Sequence, residues 1–291
     1  MATSTLIFEI KTIQSNAFKT LIDAVKDILI EANLHFTKNG VTLNAAKKPT
    51  HEMSIIMNLM KDKFQIYDLK EEKILGVDMV NLHKLIKTMN NDDSLTLYYD
   101  KIDPNNLGIR MENEKKNCIT DYKLKLLDLN PDKEFKLPND STKTYFQTIL
   151  SVPSTIFHKI IKDMANISDS IEITSMSDIL TFTGKGDFAS QSSTLKQKEN
   201  KKSDESIQIS KKAENNEIIQ GLYELKNLTT FTKCVGLCSS VELYLKNDYP
   251  LFIKYLVADL GYVYLILSPK VNNSKISKDN LDSEDDEDGK E

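Results

Sequence analysis

At 291 residues the chain is long enough to bury a substantial core, and domain-size priors divide it into two units of about 130 residues each. Three cysteines, Cys118, Cys234 and Cys238, are too few and too unevenly spaced for a disulfide framework or a tetrahedral zinc site. The four histidines form no ligand or triad motif, so neither a metal nor a cofactor is expected. The formal charge of −5 argues against nucleic acid only as a total, because Asp279 to Glu291 hold eight acidic residues and one lysine and leave the remainder at +2.

Met1 to Leu6 lack a basic region followed by a long apolar stretch, and apolar runs such as Tyr262 to Leu267 have strand length rather than the roughly 20 residues of a membrane helix. A soluble, intracellular protein with no membrane partner is expected. Alternating apolar residues predict strands at Leu6, Phe8 and Ile10, at Val41 and Leu43, at Leu95 and Leu97, and at Tyr122, Leu124 and Leu126. Helical spacing occurs from Ser15 to Asn33, where Phe18, Leu21, Ile22, Val25, Ile28 and Leu29 share a face, and again over Asn81 to Met89, Ser154 to Ile167 and Leu222 to Leu237.

The series strand, helix, strands, helix, strands runs once and then repeats. Two similar α+β units are therefore expected, at residues 1–129 and 144–271, each with two helices packed on antiparallel sheets. Residues 130–143, with Pro131 and Pro138 to break strand pairing, read as the connector. Gln197 to Glu205 reads as an exposed hairpin loop, and 272–291 as an acidic tail too poor in apolar residues to fold.

Each predicted helix carries two lysines on roughly one side. Lys19 and Lys26, like Lys226 and Lys233, are seven residues apart, which leaves about 20° between them around the axis. Lys84 with Lys87, and Lys159 with Lys162, are i,i+3 neighbours. Asp23 and Asp27 lie beside the first ridge and weaken its field. Lysine contacts to phosphate give sequence-independent affinity through counterion release, which suits a protein that slides and reads no bases.

Beside this pattern stand Val25-Lys-Asp-Ile-Leu-Ile-Glu-Ala32, Gly40-Val-Thr-Leu43, Leu75-Gly-Val-Asp78, Asp121-Tyr-Lys-Leu-Lys-Leu-Leu-Asp-Leu129, Phe231-Thr-Lys233, Tyr249-Pro-Leu-Phe-Ile-Lys-Tyr255, Ala258-Asp-Leu-Gly261 and Leu267-Ser-Pro-Lys270. In that order and spacing, from about Leu6 to Val271, they resemble the proliferating cell nuclear antigen (PCNA) family of DNA sliding clamps.

The resemblance implies the DNA clamp fold and a homotrimeric ring around double-stranded DNA. Lys19, Lys26, Lys84, Lys87, Lys159, Lys162, Lys226 and Lys233 would face the pore. Closure would pair the strand at Asn117 to Lys125 with that at Phe188 to Leu195 of the next subunit, with Tyr122, Leu124, Phe188 and Leu195 at the interface. Ring closure would also remove exposed sheet edges. A partner-peptide pocket is implied at Ala46, His51, Phe135, Leu137, Pro138, Pro250, Ile266, Leu267, Ser268 and Pro269. Here Pro49 is inserted before His51, Ala46 replaces a larger apolar residue and Ile266 replaces an aromatic.

The implied role is a polymerase processivity factor and docking platform for replication and repair proteins, in a nucleus or at a cytoplasmic viral replication site. Its implied partners are a DNA polymerase, other proteins with clamp-interacting peptides, and a clamp loader. No catalytic residue is expected: Gly184-Lys-Gly186 lacks the rest of a phosphate loop, and Asp92-Asp93 reads as an exposed turn after a helix. The alternative is a checkpoint-type subunit of a heterotrimeric ring. A single-strand binder would need aromatic stacking platforms beside its basic groove, and the chain has no Trp. Abundant Lys, Asn and Ile indicate an AT-rich coding genome, such as that of a large DNA virus or a protist.

Overall fold

The computed structural model describes residues 5–47, 49–131, 145–197, 206–213 and 217–270. Phe135, Leu137, Pro138, most of the expected connector and the acidic tail lie outside them.

In the first half, β1 (Leu6–Thr12) leads into α1 (Ser15–Val25), followed by β2 (Glu31–Thr37), β3 (Gly40–Ala46), β4 (Met53–Met60), β5 (Ile66–Leu69) and β6 (Lys73–Asp78). Then come α2 (Met79–Ile86), β7 (Ser94–Asp100), β8 (Asn106–Asn113) and β9 (Cys118–Lys125). The second half repeats this order with β10 (Thr148–Pro153), α3 (Ser154–Ala165), β11 (Ser170–Met176), β12 (Ile179–Lys185), β13 (Ser190–Lys196), β14 (Gln208–Lys211) and β15 (Ile219–Glu224). It ends with α4 (Leu225–Phe231), the 3-10 turn Thr232–Gly236, β16 (Ser240–Leu245), β17 (Leu251–Val257) and β18 (Gly261–Leu267).

Apolar spacing predicted the helices, but pairing of the flanking strands sets their ends. The first helix stops at Val25 rather than near Asn33. Ile28 and Leu29 donate their N–H groups to the Val25 carbonyl at 3.0 and 2.8 Å, and Glu31 already pairs with Asp78 in a ladder. Both apolar residues stay 4% exposed although they lie in a turn. The last predicted helix begins at Leu225 rather than Leu222, which pairs with Glu172 in a sheet. Leu126 follows β9 rather than lying within it. α2 begins at Met79, where the Asp78 carboxylate accepts the Asn81 N–H at 2.8 Å as an N-cap. Asp93 departs from the expected exposed turn. It is 7% exposed and accepts from Asn113 Nδ2 at 2.5 Å and from the Asn90 N–H at 2.8 Å. Burial opposes its charge, but these donors outweigh it and hold the carboxyl below its ordinary range.

Each half contributes a five-stranded and a four-stranded set. In the first these are β5-β1-β7-β8-β9 and β4-β3-β2-β6; in the second, β14-β10-β16-β17-β18 and β13-β12-β11-β15. The halves fuse where β18 pairs antiparallel with β4, from Gly261 opposite Leu59 to Leu267 opposite Met53, giving one nine-stranded sheet. Gly261 is required there: its φ is +159°, and a Cβ would lie 2.0 Å from the Asn58 carbonyl oxygen.

His158, on α3, is 3% exposed with Nε2 3.0 Å from Tyr255 Oη, while Nδ1 has no hydrogen-bond partner among the described residues. Burial, and then the Lys162 charge, push its pKa from 6.5 down to about 4. Because the unfolded imidazole binds a proton first, stability is complete above pH 6.5 and falls as pH drops toward 4. The expected loss is about 3 kcal/mol. Urea unfolding at stepped pH should show it in the wild type, and His158→Gln should flatten the slope across that window.

Candidate nucleic-acid interface

The helices of the two halves form one layer, in which α1 packs on α2 and on the 3-10 turn, and α3 packs on α4 and on the same turn. Their buried faces hold Phe18, Leu21 and Ile22 on α1, Leu82 and Ile86 on α2, Phe157 and Ile161 on α3, and Leu228 and Phe231 on α4. The lysines are therefore left on the opposite side.

The eight lysines are not equivalent. The side chains of Lys87, Lys159, Lys162 and Lys226 are exposed and make no hydrogen bond or ion pair among the described residues. Lys84 donates to Asn81 Oδ1 at 3.1 Å, and Lys19 to the Met89 carbonyl at 3.1 Å; both keep their charge unopposed. Lys26, by contrast, lies 2.9 Å from Asp27 and 3.1 Å from Asp23, while Lys233 binds the other oxygen of Asp27. Burial opposes both ions, yet Asp27 and Asp23 hold Lys26 above its ordinary pKa, and Lys233 and Lys26 hold Asp27 below its own. His83 Nε2 lies 3.0 Å from Asp23. Burial lowers its pKa against the Asp23 charge and leaves the ring neutral at neutral pH. The weakening of the first ridge by Asp23 and Asp27 was visible in the sequence, whereas the Lys233 contact was not.

Among the described residues six strands end the sheets, β5, β6, β9, β13, β14 and β15; β9 and β13 are the two whose counterparts in the other half, β18 and β4, are paired. Tyr122 and Leu124 lie on β9 and Leu195 on β13, each packed on the core, and Phe188, just before β13, is 79% exposed. Ile119 on β9 is 63% exposed. A 260 Å³ cavity opens beside β9 between Thr88, Met111, Thr120 and Tyr122.

The expected peptide pocket is brought together only in part. Leu251, Leu267 and Met53 align across three strands, the Ser268 N–H donates to the Glu52 carbonyl at 2.9 Å, and the Lys47 N–H to the Met53 carbonyl at 2.8 Å. Pro250, Ser268, Pro269, His51 and Ala46 thus share one end of the sheet. His51 is exposed at φ 55°, with Nδ1 2.8 Å from the Pro49 carbonyl oxygen in the turn formed around the inserted proline. Ile266 and Leu267, however, are 3% and 1% exposed. Ile266 packs with Ile56, Phe146, Tyr244, Phe252 and Tyr264, so it acts first as a core residue. Sequence reasoning missed a neighbouring 600 Å³ cavity, lined by Ile28 to Glu31, Ala45 to Lys47 and Asp128 to Asn130. Ile30, 69% exposed, is part of it because the helix ends earlier than its apolar spacing predicted.

Two α+β units of one topology, fused through a continuous sheet and carrying their helices in one layer, define a clamp-fold subunit. The model of the PCNA N-terminal domain matches residues 7–135, and that of the PCNA C-terminal domain matches 141–270. Over 269 residues the chain is 30% identical to "Probable DNA polymerase sliding clamp 1" of Paramecium bursaria Chlorella virus 1, covering 91% of this chain and 97% of that protein. It is 31% identical over 307 residues to "Probable DNA polymerase sliding clamp" of Acanthamoeba polyphaga mimivirus, covering 92% of this chain but 63% of that protein. The chain belongs to the PCNA family and is a PCNA-like sliding clamp.

Proposed function

We propose that three copies of this chain close into a ring around duplex DNA and serve a polymerase, without catalysis of their own, as its processivity factor and docking platform. The observation that carries this reading is the match between two of the sheet edges, β9 and β13, and the joined strands β18 and β4. β9 occupies in the first half the place of β18 in the second, and β13 occupies the place of β4. Pairing β9 with β13 of the next copy therefore repeats the β18–β4 junction. It would again join a five-stranded set to a four-stranded one, and repetition of the same step closes a ring.

Counted forward from Asp78 and Glu224, Leu97 matches Leu243, both in the core. The ladders outward from that pair set Val263 against Thr120, and those from Glu31 and Ser170 set Met57 against Ser193. The internal pair Val263 and Met57 thus places Thr120 of one copy opposite Ser193 of the next, and Tyr122 opposite Gln191. Such closure would cover Ile119 and Phe188.

The native mass tests the reading: a ring is expected at about 99 kDa, three times the 33.1 kDa chain, and a monomer at micromolar concentration would contradict it. A closed ring reaches circular DNA only by opening, the step assigned to a clamp loader. The names of both relatives favour a replicative clamp over a checkpoint-type one, and their viral sources support a role in viral replication.

Client peptides are assigned to the sheet end formed by Ala46, His51, Pro250, Ser268 and Pro269, with Phe135, Leu137 and Pro138 of the connector. Ile266→Ala would confound a binding test, because truncating a buried Ile costs about 2–5 kcal/mol of stability. Leu137→Ala combined with Ser268→Arg is the cleaner pair. It should weaken a clamp-interacting peptide by about 2 kcal/mol, roughly thirty-fold, and leave the trimer mass unchanged. Unchanged affinity by calorimetry would move the site elsewhere.

A further inference from the structure

Charge is distributed unevenly between the junction inside each subunit and the junction between subunits; this inference rests on the ring reading and extends it. Inside the subunit, α1 meets the 3-10 turn, and there Lys26 and Lys233 are matched by Asp23 and Asp27, with His83 against Asp23. The set carries no net charge when His83 is neutral. Opposite charges in contact produce a field that falls faster than that of a single ion, and salt screens what is left over about 8 Å.

The junction between subunits is built from the equivalent positions of the other half. β2 opens with Glu31 opposite Asp78, and β11 opens with Ser170 opposite Glu224. Counted back from Glu31 and Ser170 without a gap, Asp27 is matched by Asn166 and Asp23 by Lys162. Counted forward from Asp78 and Glu224, Lys233 is matched by Lys87. The acids that neutralise the inner junction are therefore missing at the outer one, and one of them is replaced by a lysine.

We propose that the clamp follows the DNA backbone at its three subunit junctions, where Lys84 and Lys87 of one subunit meet Lys159 and Lys162 of the next, while the junction inside each subunit contributes no phosphate contact. The like charges brought together by ring closure then receive their counter-charge from the phosphates.

The test uses the full-length clamp, a labelled short blunt-ended duplex, and the slope of log Kd against log salt. Asp23→Asn, Lys26→Gln, Asp27→Asn and Lys233→Gln combined leave the net charge unchanged and should leave affinity and slope as in the wild type. Lys87→Gln with Lys162→Gln should flatten the slope by about 1.8 for one engaged junction. Asp23→Asn with Asp27→Asn, which frees two lysines, should steepen it. Should the quadruple variant fail to form trimers, the exchange of Asp27→Lys with Lys233→Asp keeps both the ion pair and the net charge and replaces it. Equal weakening by the neutral quadruple and by Lys87→Gln with Lys162→Gln would overturn the proposal and leave the pore reading standing. No change with Lys87→Gln and Lys162→Gln, or with any of these variants, would overturn the proposal, and in the latter case the pore assignment as well.

Discussion

Oxidation of a clamp carrying Thr120→Cys and Ser193→Cys in a Cys118→Ser background is expected to turn the chain into a covalent species of about 99 kDa that resists denaturant, with monomer and dimer as vanishing intermediates. The expectation follows from register. Directly opposed residues of an antiparallel pair hold their Cβ atoms about 4.5–5.5 Å apart, close enough for a disulfide or a short thiol crosslinker. Thr120 and Ser193 are both half-buried and point to the core side of their strands. A slip of one residue would send one side chain to the other face. Thr120→Cys with Thr194→Cys should therefore crosslink poorly, and efficient trimer formation by this control would show the register to be wrong. Cys234 is buried, with burial pushing its thiol far above the ordinary range, so it competes little. The same geometry predicts that Tyr122→Asp, which puts a charge into the closed junction, lowers the trimer to a folded monomer. Retained circular dichroism with a monomer mass would support this, and loss of the fold at trimer mass would contradict it.

Changing Lys84, Lys87, Lys159 and Lys162 together to Ala should sharply reduce loading and processive synthesis while leaving the trimer mass and peptide affinity intact. Each phosphate that is no longer neutralised takes about 0.9 from the salt slope, so four per engaged junction flatten it by as much as about 3.6. Phosphate binding of this kind is weak at physiological salt, and topology rather than affinity should hold the clamp on its template. The wild-type ring should consequently slip from an open linear duplex and remain on a circle or on a duplex blocked at both ends. Tight binding to short linear duplex, unchanged in the quadruple variant, would show these lysines to be ordinary solvated residues.

The repeated unit could be read from the sequence because its signals are local. Alternation at Leu6, Phe8 and Ile10 and the apolar face from Phe18 to Val25 each fit within one element, and both appear where the spacing placed them. Lysines at helical spacing are likewise a short-range pattern, so a basic helix layer was visible before any packing was known. Ends of elements were less legible: Ile28 and Leu29 continue the helical spacing, but β2 must begin at Glu31 to pair with β6, and that partner lies far along the chain.

Three properties were decided only by tertiary structure. Ile266 carries no mark that distinguishes a pocket wall from a core residue, and its fate is set by Phe146, Tyr244 and Phe252, which reach it from other strands. Asp27 and Lys233 are 206 residues apart, and their pairing separates bound lysines from unopposed ones. That β9 and β13 stay at sheet edges while their counterparts β18 and β4 pair with each other is decided by how the two halves join. Sequence by itself determined which residues alternate, which repeat and which carry charge, since those depend on near neighbours. Which charges cancel and which edges remain open depends on contacts between distant segments, and these exist only once the two halves are folded against each other.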